Sequence, residues 1–241
     1  MRRCDLNDVN FIPKGYEKMI KIAIDGPSGA GKSSLAKIIA KTLGIIYIDT
    51  GALYRTVGLW VYRKGIPYTD REGIISSLDG IKVELGFDGE GNQRVYLCGE
   101  DVSGLIRTPE IAQYASAVSA VSEVRSLLFG MQRDIAEKNS VIMDGRDIGT
   151  VILPDADVKI FLSASDEARA ERRCKELREK GEDCTVEEIL RSMRERDRRD
   201  STRDIAPAVA ADDAIHFDNS DLTLEQSVAA VLEIIKNKTE R

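Results

Sequence analysis

From Gly26 the chain reads Gly26-Pro27-Ser28-Gly29-Ala30-Gly31-Lys32-Ser33-Ser34, with the spacing G-x-x-x-x-G-K-[ST]. Glycines placed this way let successive backbone N–H groups turn inward around phosphate oxygens. A helix starting directly behind adds the positive end of its dipole. Lys32 has the reach to meet the outer phosphates, and the Ser33 hydroxyl is placed to ligate Mg²⁺. An ordinary strand–turn–helix link also uses glycine, but it does not need a lysine followed by a hydroxyl. The chemistry expected is retention of a nucleoside triphosphate, with Gly26, Pro27, Ser28, Gly29, Ala30, Gly31, Lys32, Ser33 and Ser34 forming the cradle.

Two more polar clusters follow apolar runs, Asp49-Thr50-Gly51 with Tyr54-Arg55, and Asp144-Gly145-Arg146-Asp147. In parallel α/β sheets ligands bind beyond the carboxyl ends of the strands, so the clusters and the glycine loop converge on one rim. Asp144 has the position of a carboxylate that helps hold Mg²⁺; a plain turn aspartate is the other reading. Arg55 and Arg146 present guanidinium groups, which bind phosphate through two parallel hydrogen bonds. Further arginines recur at Arg169, Arg172 and Arg173 and from Arg191 to Arg203. Such runs are ordinarily solvated helix faces laced with ion pairs, as Glu187 and Arg191 could form. Spacing does not say which of them turn inward to neutralise a transferred phosphoryl group. The reaction implied is phosphoryl transfer to an anionic acceptor, without histidine.

The elements that must position these residues alternate. A short apolar run, Ile22-Ala23-Ile24, precedes the loop, and Leu35, Ile38, Ile39 and Leu43 follow it at helical spacing. Ile45–Ile48 reads as a buried strand, and Leu53, Val57, Trp60 and Val61 as a helix. This βαβα order implies a parallel sheet. Ile81–Phe87 and Arg94–Leu97 alternate apolar and polar residues around the turn at 88–92, which predicts a small antiparallel sheet inserted at about 65–105. Thr108-Pro109 starts a helix, and Val124, Leu127, Leu128, Met131 and Ile135 stripe the next. Val141–Met143, Val158–Leu162 and Ile215–Phe217 read as further strands. Ser165, Thr185 and Thr223 open helices, the last two as capping boxes. Residues 1–18 carry no periodicity and are expected to be a loose extension before a domain at 19–241.

Composition narrows the class. The 241 residues carry a formal charge of −6, which disfavours nucleic-acid binding. No apolar run reaches the roughly 20 residues that span a bilayer, and no secretory leader is seen at the start. The four cysteines form no C-x-x-C pair, so unpaired thiols in a reducing cytoplasm are expected. The single histidine, His216, reads as a packed strand residue.

Five segments together resemble the bacterial cytidylate kinases, members of the nucleoside monophosphate kinases. They are Asp25–Lys32, Asp49–Arg55, Gly99–Ser103, Asp144–Val151 and Glu195–Asp200, in the family's order within about 20–237. The resemblance implies an α/β P-loop kinase fold: a central parallel sheet flanked by helices, a core at 19–64 and 106–241, the β-rich NMP-binding insert at 65–105, and a helical lid at about 165–185. It implies a cytoplasmic enzyme that transfers the γ-phosphate of ATP, with Mg²⁺, to CMP or dCMP; a monomer is expected. Thr50, Tyr54 and Arg55 are then expected at the acceptor site, with Ser116 and Arg125 facing cytosine. Arg146 and Asp147 would meet the acceptor phosphate and nucleoside, and Arg196, Asp200 and Arg203 its phosphate, ribose and base. Lys32, Arg146 and the lid residues Arg172 and Arg173 would be catalytic, and Ser33 and Asp144 would serve the metal. Thr50 stands where many members have serine, and keeps the hydroxyl. The bare residue pattern leaves open another small acceptor such as UMP, AMP or a metabolite. It also leaves open a nucleotide-dependent switch, although no Asn/Thr-Lys-x-Asp guanine motif is present.

Overall fold

The computed structural model describes residues 18–179 and 181–239, so the expectation for 1–17 lies outside the described residues. Five parallel strands form the main sheet: β1 (Lys21–Asp25), β2 (Ile46–Asp49), β6 (Val141–Asp144), β7 (Val158–Ser163) and β8 (Ile215–Asp218), in the order β2-β6-β1-β7-β8. The central β1 and β6 bury nearly every side chain, as a sheet covered on both faces requires. On one face α1 (Lys32–Leu43) and α8 (Leu224–Thr239) pack Leu35, Ile39, Val231 and Ile235 against Ile22, Ile24 and Ile160. On the other, Ile135 and Ala136 of α5 (Ser122–Lys138) cover Ala23, Ile48 and Met143.

The insert forms its own antiparallel sheet of β3 (Val83–Phe87), β4 (Gln93–Leu97) and β5 (Glu100–Asp101), preceded by a short helix α3 (Arg71–Ser77) that the alternation did not announce. Val83, Val95 and Leu97 share one apolar cluster with Val57 and Val61 of α2 (Thr50–Arg63), and with Ile111 and Val118 of α4 (Pro109–Val118). The helix signals hold locally. Thr108 caps α4 with Pro109 in its first turn, and Thr185 and Glu188 form a capping box on α7 (Val186–Thr202). Before α7 comes α6 (Asp166–Glu179), which packs along it.

One local expectation differs, and another, the unpaired thiols, holds with an added detail. His216 lies on β8 but is exposed rather than packed, because β8 is the sheet's outer strand; its ring rests against Phe161. Cys98, Cys174 and Cys184 are free thiols, yet Cys174 and Cys184 face each other. Among the described residues no helix is long and apolar enough to cross a membrane.

Candidate active site

The carboxyl ends of β1, β2 and β6 deliver Asp25, Asp49 and Asp144 to one rim, with Asp49 and Asp144 in register on neighbouring strands. After β1 the glycine loop turns sharply. Gly26 has φ 144°, and a Cβ there would fall 1.9 Å from the Leu162 carbonyl oxygen. Gly31, at φ 86°, caps α1 in the left-handed region that favours glycine. The loop is held from outside by residues of α6, of α7 and of the segment after β8. Arg169 of α6 donates to the Ser28 carbonyl at 2.7 Å and to Asp166 and Asp197. Asp197 of α7 accepts from the Ser28 N–H at 3.0 Å. Asn219 donates to the Ala30 carbonyl at 3.0 Å and is itself gripped by Arg172.

Inside the loop, the Lys32 ammonium donates to the Gly26 and Pro27 carbonyls at 2.8 and 2.6 Å. Burial, and then the nearby Arg146 charge, hold its pKa well below the ordinary lysine value. The exposed Ser33 donates its hydroxyl proton to Asp144 Oδ2 at 2.7 Å, and Tyr47 donates to the other oxygen at 2.8 Å. Burial and the facing Asp49 carboxylate raise the Asp144 pKa, which a cation placed between these groups would relieve. Thr50, buried at the start of α2, donates to the Asp144 carbonyl at 2.8 Å. Ser34 is exposed on the first turn of α1.

A second cluster collects cations. Arg146 Nε donates to Asp200 Oδ2 at 3.2 Å, and Arg196 Nε stands 3.9 Å from the same oxygen. Burial and the Arg146 charge lower the Arg196 pKa to about 10, with Arg55 adding to the repulsion. Arg55 itself pairs with Asp49 at 2.7 Å. Among the described residues, the Nε atoms of Arg55 and Arg196 are buried without a hydrogen-bond partner. Lys32, Arg146, Arg196 and Arg55 thus bring crowded positive charge and unsatisfied donors to one place. Such an arrangement is costly until an anion arrives.

Beyond it lies a third cluster. Arg125 donates to Asp147, and Arg203 stands 3.6 Å from the other Asp147 oxygen. Arg125 also lies over the Tyr54 ring, 5.6 Å from its centroid, and burial pushes the Tyr54 pKa up to about 12. Arg203 reaches the Ser119 hydroxyl, which donates to the Ser116 carbonyl. The chain brings Lys32, Ser33, Thr50, Arg55, Asp144, Arg146, Arg196 and Asp200 to one rim, with Tyr54, Arg125, Asp147 and Arg203 alongside; Ser116 joins through its carbonyl alone, and Arg172 and Arg173 stay apart. Arg172 is spent on the Asn219 and Ser220 loop, and Arg173 pairs with Glu176.

The sequence reading passed over several residues that build this rim. Gln93 of β4 and Arg107 reach Asp49 from the insert and from the segment after it; Tyr47, Asp197 and Asn219 brace the loop side. Asp25 accepts from the N–H groups of Ile148 and Gly149, the start of a five-residue π-helical turn, Ile148–Ile152. Nothing in local spacing marks Gln93 or Arg107; Asp25 and Asp197 do lie in segments already singled out, Asp25–Lys32 and Glu195–Asp200.

The sequence profile of the family described as cytidylate kinase matches residues 22–237. The cytidylate kinase of Caldicellulosiruptor saccharolyticus is 48% identical over 217 residues, spanning 90% of this chain and 96% of that protein. That of Caldanaerobacter subterraneus subsp. tengcongensis is 50% identical over 220 residues, spanning 91% and 96%. Among solved structures, an uncharacterized protein from Eubacterium ventriosum aligns over 90% of this chain and 99% of its own, at 15% identity and a TM-score of 0.51. That likeness speaks to the fold alone.

Proposed function

The chain belongs to the cytidylate kinase family and is an ATP-dependent kinase of CMP; within that activity we propose that the glycine loop holds the donor and the arginine rim the acceptor. The observation that carries this division is the pair of buried, unpartnered Nε atoms on Arg55 and Arg196, beside Arg146 and across from Lys32. An incoming phosphate monoester would satisfy those donors.

In the donor half, the phosphates of ATP meet the backbone N–H groups from Gly29 to Ser34. Lys32 exchanges the Gly26 and Pro27 carbonyls for phosphate oxygens. The Ser33 hydroxyl and Asp144 carboxylate, already paired, suit Mg²⁺, which proteins hold through one or two carboxylates plus substrate phosphates. When bound, that ion supplies charge neutralisation at the outer phosphates. Arg172 holds the loop's outer side through Asn219 and is a positioning residue; Arg173, closer to solvent, would approach ATP by giving up its surface pair with Glu176.

In the acceptor half, Arg55, Arg146 and Arg196 hold the CMP phosphate in line with the transferred group. Its oxygen is already an anion, so no general base is required. Thr50 and Tyr54 line the floor, Arg125, Asp147, Arg203 and Ser116 face the cytosine, and Asp200 accepts from a ribose hydroxyl. We take dCMP to be accepted too, and the enzyme to act as a cytoplasmic monomer.

A coupled ADP-release assay with CMP, dCMP, UMP and AMP tests the acceptor assignment. CMP and dCMP should turn over far faster than the other two at equal concentration. Equal rates with AMP would overturn the base-recognition roles while leaving the donor half standing.

A further inference from the structure

Helices α6 and α7 pack along each other as a hairpin, and described residues on both sides of its bend are held by hydrogen bonds. Gly181, at φ 81°, donates to the Arg178 carbonyl at 3.0 Å as α6 ends, and the Thr185 capping box opens α7. Cys174 is buried in α6, and Cys184 stands one residue before the cap, half-buried. Their Sγ atoms lie 2.6 Å apart, and each Sγ is 3.4 Å from the other residue's carbonyl oxygen. Arg178 donates to the Cys184 carbonyl at 3.0 Å, so the segment bearing Cys184 is also held by its main chain. An open groove of about 440 Å³, lined by Glu171, Cys174, Lys175, Arg178, Glu179 and Val186, opens beside Cys174.

We propose that Cys174 and Cys184 are a redox modification site, closing reversibly into an intramolecular disulfide that ties the bend of the lid hairpin. The oxidant is a low-molecular-weight disulfide. The more accessible Cys184, as thiolate, attacks one of its sulfurs, forming a mixed disulfide and expelling one thiolate. The Cys174 thiolate then attacks Cys184 Sγ and expels the second. The two protein thiols lose two electrons and two protons, and the reagent becomes two thiols. The tie lies at the closed end of the hairpin, whereas the contacts to the phosphate loop, Arg169 and Asp197, lie toward its open end. A bridge between residues ten apart removes freedom from the unfolded chain and stiffens the lid without touching the loop.

The full chain is equilibrated with oxidised and reduced glutathione, alkylated, and digested with trypsin without reduction. The expected product is the dipeptide Cys174-Lys175 joined to the peptide 181–191, released by a dithiol reductant. The thermal midpoint of the oxidised protein should lie a few degrees above that of the reduced protein. Cys184→Ser should remove both the linked peptide and the shift, with turnover under reducing conditions kept. Recovery of Cys174 and Cys184 only as alkylated thiols or separate glutathione adducts would overturn the proposal. So would an equal midpoint rise in Cys184→Ser.

Discussion

The side-chain amide of Gln93 takes both main-chain groups of Asp49: its oxygen accepts from the Asp49 N–H at 2.7 Å, and its nitrogen donates to the Asp49 carbonyl at 3.1 Å. Gln93 belongs to the small antiparallel sheet, and Asp49 ends a strand of the main one. The paired bonds therefore dock the insert onto the rim. The Asp49 carboxylate, held in that position, caps α2 through the Ala52 N–H and receives Arg55 and Arg107 at 2.7 and 3.2 Å.

Loss of this docking should be felt on the acceptor side. Gln93→Ala is expected to raise the KM for CMP by about 10-fold, the size of one or two lost hydrogen bonds. The KM for ATP should stay within about twofold, because the loop's supports lie on the lid side. Gln93→Glu should behave as badly, since a carboxylate has no N–H for the Asp49 carbonyl. Initial-rate kinetics with each substrate varied in turn decide the point. An equal effect on both KM values would make Gln93 a general stability residue instead.

Lys32 and Arg196 should separate the two halves of the site. Lys32→Ala removes the charge poised over the donor loop and is expected to lower kcat by about 10²-fold or more, with CMP binding kept. Arg196→Ala removes a buried, unpartnered acceptor donor and should raise the CMP KM by about 10- to 100-fold while sparing the ATP KM. Titration calorimetry with each nucleotide checks the assignment. The reverse pattern would exchange the halves.

Asp25 carries a pH signature. Its carboxyl is 4% exposed, accepts from Ile148 and Gly149, and is pushed by burial from 3.8 up to about 6. Between those values the folded chain keeps a proton that the unfolded chain has released. The contribution is complete below about pH 3.8 and is lost as pH rises through about 6, a change on the order of 3 kcal/mol. Asp25→Asn cannot titrate, so the stability difference between wild type and variant should slope downward with pH across that window. Urea unfolding at a series of pH values measures it. A flat difference would show that Asp25 titrates alike in both states.

Much of this protein was legible without coordinates, for local reasons. A phosphate loop is written in consecutive residues because backbone N–H groups of one short turn do the work. Helix caps such as Thr108, Thr185 and Thr223 are likewise settled within four residues. Apolar runs and alternation separated the parallel sheet from the insert, since a two-sided and a one-sided sheet demand different patterns. The short helix at Arg71–Ser77 and the π-turn at Ile148–Ile152 escaped that reading, being too brief to show a period.

What only the tertiary structure decided is which charges meet. The arginines of the 169–203 region look alike along the chain, yet Arg169 and Arg172 brace the loop, Arg196 joins Arg146 at Asp200, and Arg203 turns to Asp147. Gln93 finds Asp49 across 44 positions, and Arg107 finds it across 58. Charge pairing depends on distance in space and on burial, and neither is carried by spacing in sequence. The sequence by itself determined that this chain cradles phosphate at the end of a β-strand. The folded rim determined where a second anion has donors waiting for it.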